Sequence, residues 1–121
     1  LQNTSRMLRS GGIFRRVLPD LELSIKKYIN DRSDDAALTF MKETSLGRER
    51  RSHGLKGVIF SLLGNSQHLW MWDFKSIESE LRVVGFVGIR RARFGDSADP
   101  LFEEVEEKGR WDNCLGVECM K

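Results

Sequence analysis

"RMLRSGGIFRRVLPDLE", residues 6–22, runs from a basic segment through a Gly-Gly turn and a strand-like stretch to a Pro-Asp stop. Basic residues suit a helix C-terminus, and Ser10-Gly11-Gly12 supplies the left-handed backbone that ends one, so residues 6–9 read as a last helical turn. Residues 13–18 then read as a strand. Pro19 ends it, because proline has no N–H to give to a continuing ladder, and Asp20 is placed to cap the helix that follows. Helix, strand and helix in such quick succession is the pattern of an α/β domain.

Arg15 and Arg16 are unusual inside such a strand. Neighbouring strand residues project to opposite faces, so each face receives one guanidinium. A central parallel strand is buried on both faces, which makes unpaired charge there costly. The pair predicts either carboxylate partners near a sheet edge or a strand that has departed from the usual apolar content.

Working outward, Leu21, Ile25, Tyr28 and Ile29 form one helical stripe with Lys26 and Lys27 outside it, predicting a surface helix packed on the rest of the fold, with Tyr28 beneath it. Asp34 and Asp35 open a second helix through residues 36–41. Residues 44–52 read as a loop, and residues 58–63 as a short apolar helix closed by Gly64-Asn65. The clearest helix is "DFKSIESELRVVG", residues 73–85. Its apolar positions Phe74, Ile77, Leu81 and Val84 fall three, four and three apart, with Asp73 as N-cap and Gly85 where a C-cap glycine belongs. It leads into a strand-like run, residues 86–94, and "NCLGVECM" supplies another near the end. Between them Pro100 interrupts a connection holding at most one helical turn, so these two strands are expected to pair antiparallel.

A chain of 121 residues has room for one hydrophobic core, and 40% hydrophobic with 31% charged residues lies away from the composition of disordered chains. One domain, residues 1–121, is expected. The formal charge of +2 is too near balance to imply a nucleic-acid partner from bulk electrostatics. Local clusters exist: Arg48, Arg50 and Arg51 in the loop; Arg90, Arg91 and Arg93 in a strand; and Glu103, Glu104, Glu106 and Glu107, read as a solvated surface. No aromatic stacking platform accompanies the arginines, which argues against a nucleic-acid binder. Cys114 and Cys119 stand five apart in a strand, on opposite faces, and so are not expected to bond to each other. His53 and His68 lack metal-ligand spacing, so no metal site is expected. Without a membrane-length apolar run or a signal segment, the expected location is cytoplasmic.

The ordered set of these features resembles the C-terminal half of class I S-adenosylmethionine-dependent methyltransferases. Residues 6–22 are similar to the fifth-strand region of that family, "HLWMWDFKSIESELRVVGF" (residues 68–86) to the passage before its sixth strand, and "DNCLGVECMK" to its seventh. The family orders its Rossmann-like sheet 3-2-1-4-5-7-6, so the resemblance implies a partial sheet of three strands in the order 5-7-6, the last antiparallel, with the first four strands outside this chain. It also implies a methyltransferase function, with S-adenosylmethionine as cofactor of a complete domain. The family grips that donor with a glycine-rich loop after the first strand and an acid ending the second. No acid-x-Gly-x-Gly sequence occurs among the 121 residues, so this chain alone is expected not to bind the donor.

Ligands of open α/β sheets lie beyond the carboxyl ends of parallel strands, which singles out Asp20 on the substrate side. His68, Trp70 and Trp72 are the other substrate-side candidates: an aromatic face attracts a sulfonium or holds a ring, and a histidine can take a proton from a hydroxyl. Core packing is the competing reading for both tryptophans, and capping for Asp20. An exposed first strand invites pairing, so the expected partners are a second copy, giving a dimer, or a complementary N-terminal half. The alternative to an enzyme is a non-catalytic module that associates through that strand.

Overall fold

In the final strand, β3 (Cys114–Met120), Leu115, Val117 and Cys119 alternate with Gly116 and Glu118, and this alternation gives the sheet one apolar and one polar face. The structure, a computed structural model, describes residues 1–46 and 71–121. β3 lies between β1 (Ile13–Pro19) and β2 (Val87–Ala92), antiparallel to both, so the order is β1-β3-β2 and the outer strands run parallel to each other. The antiparallel pairing expected of the last two strands is present. This is an α/β chain with a three-stranded open sheet and several helices.

On the apolar face, Leu115, Val117 and Cys119 are each 1% exposed and pack with Leu18, Ile77, Leu81 and Phe86. Phe14 stacks on Phe86 with ring centroids 5.5 Å apart. Ile77 and Leu81 come from a helix at Phe74–Val83, where their spacing of four puts both on the sheet side. Each such fully buried side chain contributes about 1.5–3 kcal/mol relative to exposure. The ends of that helix are as its sequence predicts. Asp73 Oδ1 accepts from Ser76 N at 2.8 Å, and Gly85 takes a φ of 91°, a conformation only glycine adopts without strain.

The N-terminal helix, α1 (Gln2–Met7), ends earlier than its basic residues suggest. Leu8 is already extended, and the Gly11-Gly12 turn serves the entry to β1 instead. Gly11 N donates to Lys121 O at 2.7 Å, and Lys121 Nζ donates to the carbonyls of Ser5 and Leu8, so the last residue supplies the cation at the end of α1.

Asp20 caps α2 (Leu21–Asn30), accepting from Leu23 N at 3.1 Å. α2 packs chiefly on α3 (Ala36–Glu43), with Tyr28 and Phe40 ring centroids 5.3 Å apart. Neither helix buries a residue completely, and Ile25, Tyr28 and Ile29 remain exposed, so the stripe on α2 is less covered than its periodicity predicts. The loop read at residues 44–52 is described only to residue 46, where Thr44 is buried. The predicted helix at residues 58–63 and the cluster of Arg48, Arg50 and Arg51 lie outside the described residues. The helix at Phe74–Val83 is labelled α4 below, and that at Leu101–Val105, the single helical turn expected in the connection, α5. A 3-10 turn at Lys108–Arg110 follows α5 and leads through Trp111 to β3.

Candidate functional site

The polar face of the sheet carries a charge network assembled from all three strands. Glu118 of β3 is in register with Arg15 of β1 and Arg90 of β2. It accepts from Arg15 Nη1 at 2.8 Å on one oxygen and from Arg90 Nη2 at 2.6 Å on the other. The return loop then folds over the pair. Asp96 accepts from Arg15 at 2.9 Å and from Arg90 at 2.8 Å, Glu106 accepts from Arg15 Nε, and Arg93 O accepts from Arg15 Nη2 at 2.6 Å. Trp111 lies 4.5 Å from the Arg15 guanidinium carbon and completes its enclosure.

The Arg15 side chain is therefore only 2% exposed, with those of Glu106 at 8% and Glu118 at 10%. Burial opposes ionisation of Asp96, but hydrogen bonds from Arg90, Arg93 N and Arg15 outweigh it and hold the carboxyl at about 2. Burial likewise opposes ionisation of Glu106, and Arg15 again prevails and lowers it. Among the described residues no buried side-chain polar atom lacks a partner. This network is thus fully partnered at its buried atoms. It is a clamp joining the three strands to the return loop.

This arrangement corrects the reading of the acidic run as a solvated surface. Glu103, Glu104 and Glu107 are exposed, but Glu106 points inward because the turn ending α5 delivers it to Arg15. The two arginines of β1 part as strand geometry requires. Arg15 takes carboxylate partners, while Arg16, facing the opposite way, is exposed and makes no ion pair among the described residues. Glu118 and Asp96 were not singled out from the sequence. The signal for Glu118 was an acid in an otherwise apolar strand, opposite arginines in both neighbours.

At the carboxyl end of β1, the backbones of Asp20 and Trp72 form a parallel bridge, with Leu21 N donating to Trp72 O at 3.1 Å. Two of the four predicted site residues thus meet. Asp20 acts as the α2 cap, with Arg91 Nη1 3.9 Å from its second oxygen. Trp72 packs against the core. Arg91 is further held by Glu22 at 3.2 Å and stacks on Phe74 at 4.9 Å. His68 and Trp70 lie outside the described residues.

A groove of about 600 Å³ runs beside β1. One wall is residues 15–19, and the other includes Phe102, Val105 and Trp111. Cys114 opens onto it, its thiol pushed up by burial and then by Asp20 and Asp112. Cys119, on the opposite face, is raised to about 11 by burial, and both thiols are free.

The described residues do not fit S-adenosylmethionine. A donor cradle needs glycines between a strand and the helix after it, whereas Gly11 and Gly12 precede β1 and are engaged with Lys121. Among the described residues no cluster suited to a metal ion occurs, and no helix is long and apolar enough to cross a membrane. Comparisons with known protein families, with curated proteins and with solved structures find no match to this chain.

Proposed function

We propose that this chain is the C-terminal, substrate-side part of a class I S-adenosylmethionine-dependent methyltransferase. One observation carries the reading: the last strand in sequence lies in the middle of the sheet, antiparallel to two outer strands that are parallel to each other. A simple meander would instead leave the strands in chain order. An antiparallel last strand inserted between two parallel ones is what the resemblance of residues 6–22, 68–86 and 112–121 implies. The capped helix α4 leading into β2 supports it further.

In this reading the chain contributes position. Methyl transfer by direct displacement requires acceptor and donor to be aligned, and the end of β1, with Asp20 and Trp72, would form part of the acceptor wall. The donor belongs to residues outside this chain. The test is to sequence the reading frame upstream of Leu1 and titrate the extended product with S-adenosylmethionine by calorimetry. The expected result is an in-frame strand with a glycine-rich loop, donor binding by the extended product, and none by residues 1–121 alone. Micromolar binding by the short chain, or an upstream frame without that loop, would overturn the reading. A stop codon just upstream would favour the second reading, an interaction module, for which the position of β1 at the edge of the sheet speaks.

A further inference from the structure

The segment between β2 and β3 rests on the sheet through two anchors. Among the described residues, every hydrogen bond from residues 96–108 to a strand ends on the side chain of Arg15 or of Arg90. The backbone bonds of α5 stay within the segment: Phe102 N donates to Asp99 O at 3.2 Å, Glu103 N to Pro100 O at 3.0 Å and Glu106 N to Phe102 O at 2.9 Å. None of residues 96–108 belongs to the apolar core, which lies on the other face of the sheet. A glycine stands at each end. Gly95 takes a φ of 70°, and nothing lies within 4 Å of where a Gly109 side chain would begin, so both ends are free to swing.

Lifting this segment reverses the sign of the charge beneath it. With the segment in place, Arg15 and Arg90 face Asp96, Glu106 and Glu118, two cations against three anions, a net −1. With it lifted, the two arginines keep Glu118, one oxygen each, and the net is +1. Trp111 stays behind, since its carbonyl accepts from Cys114 N and its ring lies against Gly116, and it keeps the Arg15 guanidinium in position. We infer that residues 96–108 are a strap that opens while the sheet stays folded, and that the open form binds a small dianion such as inorganic phosphate between Arg15 and Arg90. In the closed form Asp96 fills that place, accepting from Arg15 at 2.9 Å on one oxygen and from Arg90 at 2.8 Å on the other. Guanidinium groups suit a phosphate because each presents parallel N–H donors to it. A dianion attracted by the open form and repelled by the closed one draws the strap open, because a ligand shifts an equilibrium by its preference for one state. Opening also returns Asp96 and Glu106 to water, so their desolvation is recovered and the step costs less than unfolding the sheet. The inference goes beyond the methyltransferase reading and does not depend on it.

The test follows the isotope-labelled chain by NMR, first in chloride and then in inorganic phosphate at constant ionic strength. In chloride the Arg15 Nε–H, held by Glu106, should exchange with solvent faster than the ladder amides of Leu115 and Val117, which are released only when the sheet unfolds. Phosphate should move the signals of residues 95–108 and of both guanidinium groups saturably and leave Leu115 and Val117 in place. Glu106→Gln weakens the closed form alone. It should speed the Arg15 Nε–H exchange about tenfold or more and tighten the apparent phosphate affinity by the same factor, since more of the chain is already open. Arg90→Gln, on a side chain 40% exposed, should keep the fold, which its own spectrum verifies, and lose the saturable response. An Arg15 Nε–H that exchanges no faster than the ladder amides would overturn the inference. So would a phosphate response that does not saturate, as from an adventitious ion only, or one that persists unchanged in Arg90→Gln.

Discussion

Replacing Arg15 by methionine should cost this chain a large share of its stability. Methionine keeps much of the apolar stem and removes the guanidinium, leaving Asp96, Glu106 and Glu118 with Arg90 as the remaining cation of the network. Glu106 and Glu118 have side chains only 8% and 10% exposed, so water replaces only part of what Arg15 gave them. Removing one partner of a buried ion pair costs ~3–5 kcal/mol, against a total of ~5–15 kcal/mol for a typical domain. With a urea slope of about 2 kcal/mol/M, the unfolding midpoint should fall by roughly 2 M. The neighbouring Arg16→Met, on an exposed side chain, should change stability by no more than about 0.5 kcal/mol. Adding Glu106→Gln to Arg15→Met removes one stranded anion and should recover about 1 kcal/mol or more. Urea unfolding followed by circular dichroism measures all of these. A loss below about 1 kcal/mol for Arg15→Met, or equal effects of the two arginine substitutions, would show that the network is not the clamp its geometry describes.

Gly116→Ala should destabilise by about 3 kcal/mol, because a Cβ there would stand 2.3 Å from Ala92 O and 2.4 Å from the Trp111 ring, forcing strand β2 or the indole to move. Gly109→Ala, with nothing within 4 Å, is the control and should be near neutral in the same urea assay. Asp96 supplies an acid dependence. Its folded-state value of about 2 lies below the ordinary 3.8, so its stabilisation is fully present above about pH 4 and is lost as pH falls through about 2. Because its side chain is 34% exposed, solvent screening limits the effect to about 1 kcal/mol. The stability gap between the parent chain and Asp96→Asn should therefore be constant from pH 7 to 5 and close towards pH 2; a gap independent of pH would count against the assignment.

Local signals predicted what local physics decides. The cap at Asp73, the stripe Ile77 and Leu81, and the glycine at position 85 all act within a few residues, and the helix they mark is present. Opposite faces for Cys114 and Cys119, and for Arg15 and Arg16, followed from strand alternation alone. What escaped was the destination of groups that need distant partners. Glu106 reads as one more surface acid until α5 turns it towards a strand ninety-one positions away. Gly116 is silent in sequence, since only the Ala92 carbonyl and the Trp111 indole lying against it explain the missing side chain. The end of α1 was misplaced for the same reason: Lys121, from the far end of the chain, supplies the contact that the local arginines suggested.

The pairing of β1 with β3 joins Ile13 to Met120 and Pro19 to Cys114, the first strand to the last. At a synthesis rate of ~5–20 residues per second, β1 waits roughly 5–20 s for its only strand partner in the described sheet to be made. Throughout that interval it is a β-prone segment whose β3 side has no strand to pair with. Two adjacent arginines in its centre give it a charge on each face, the kind of gatekeeping that discourages stacking of nascent strands. The residue that later becomes the most enclosed cation of the network thus begins as a guard against aggregation, and β1 trades that protection for the clamp when Glu118 arrives.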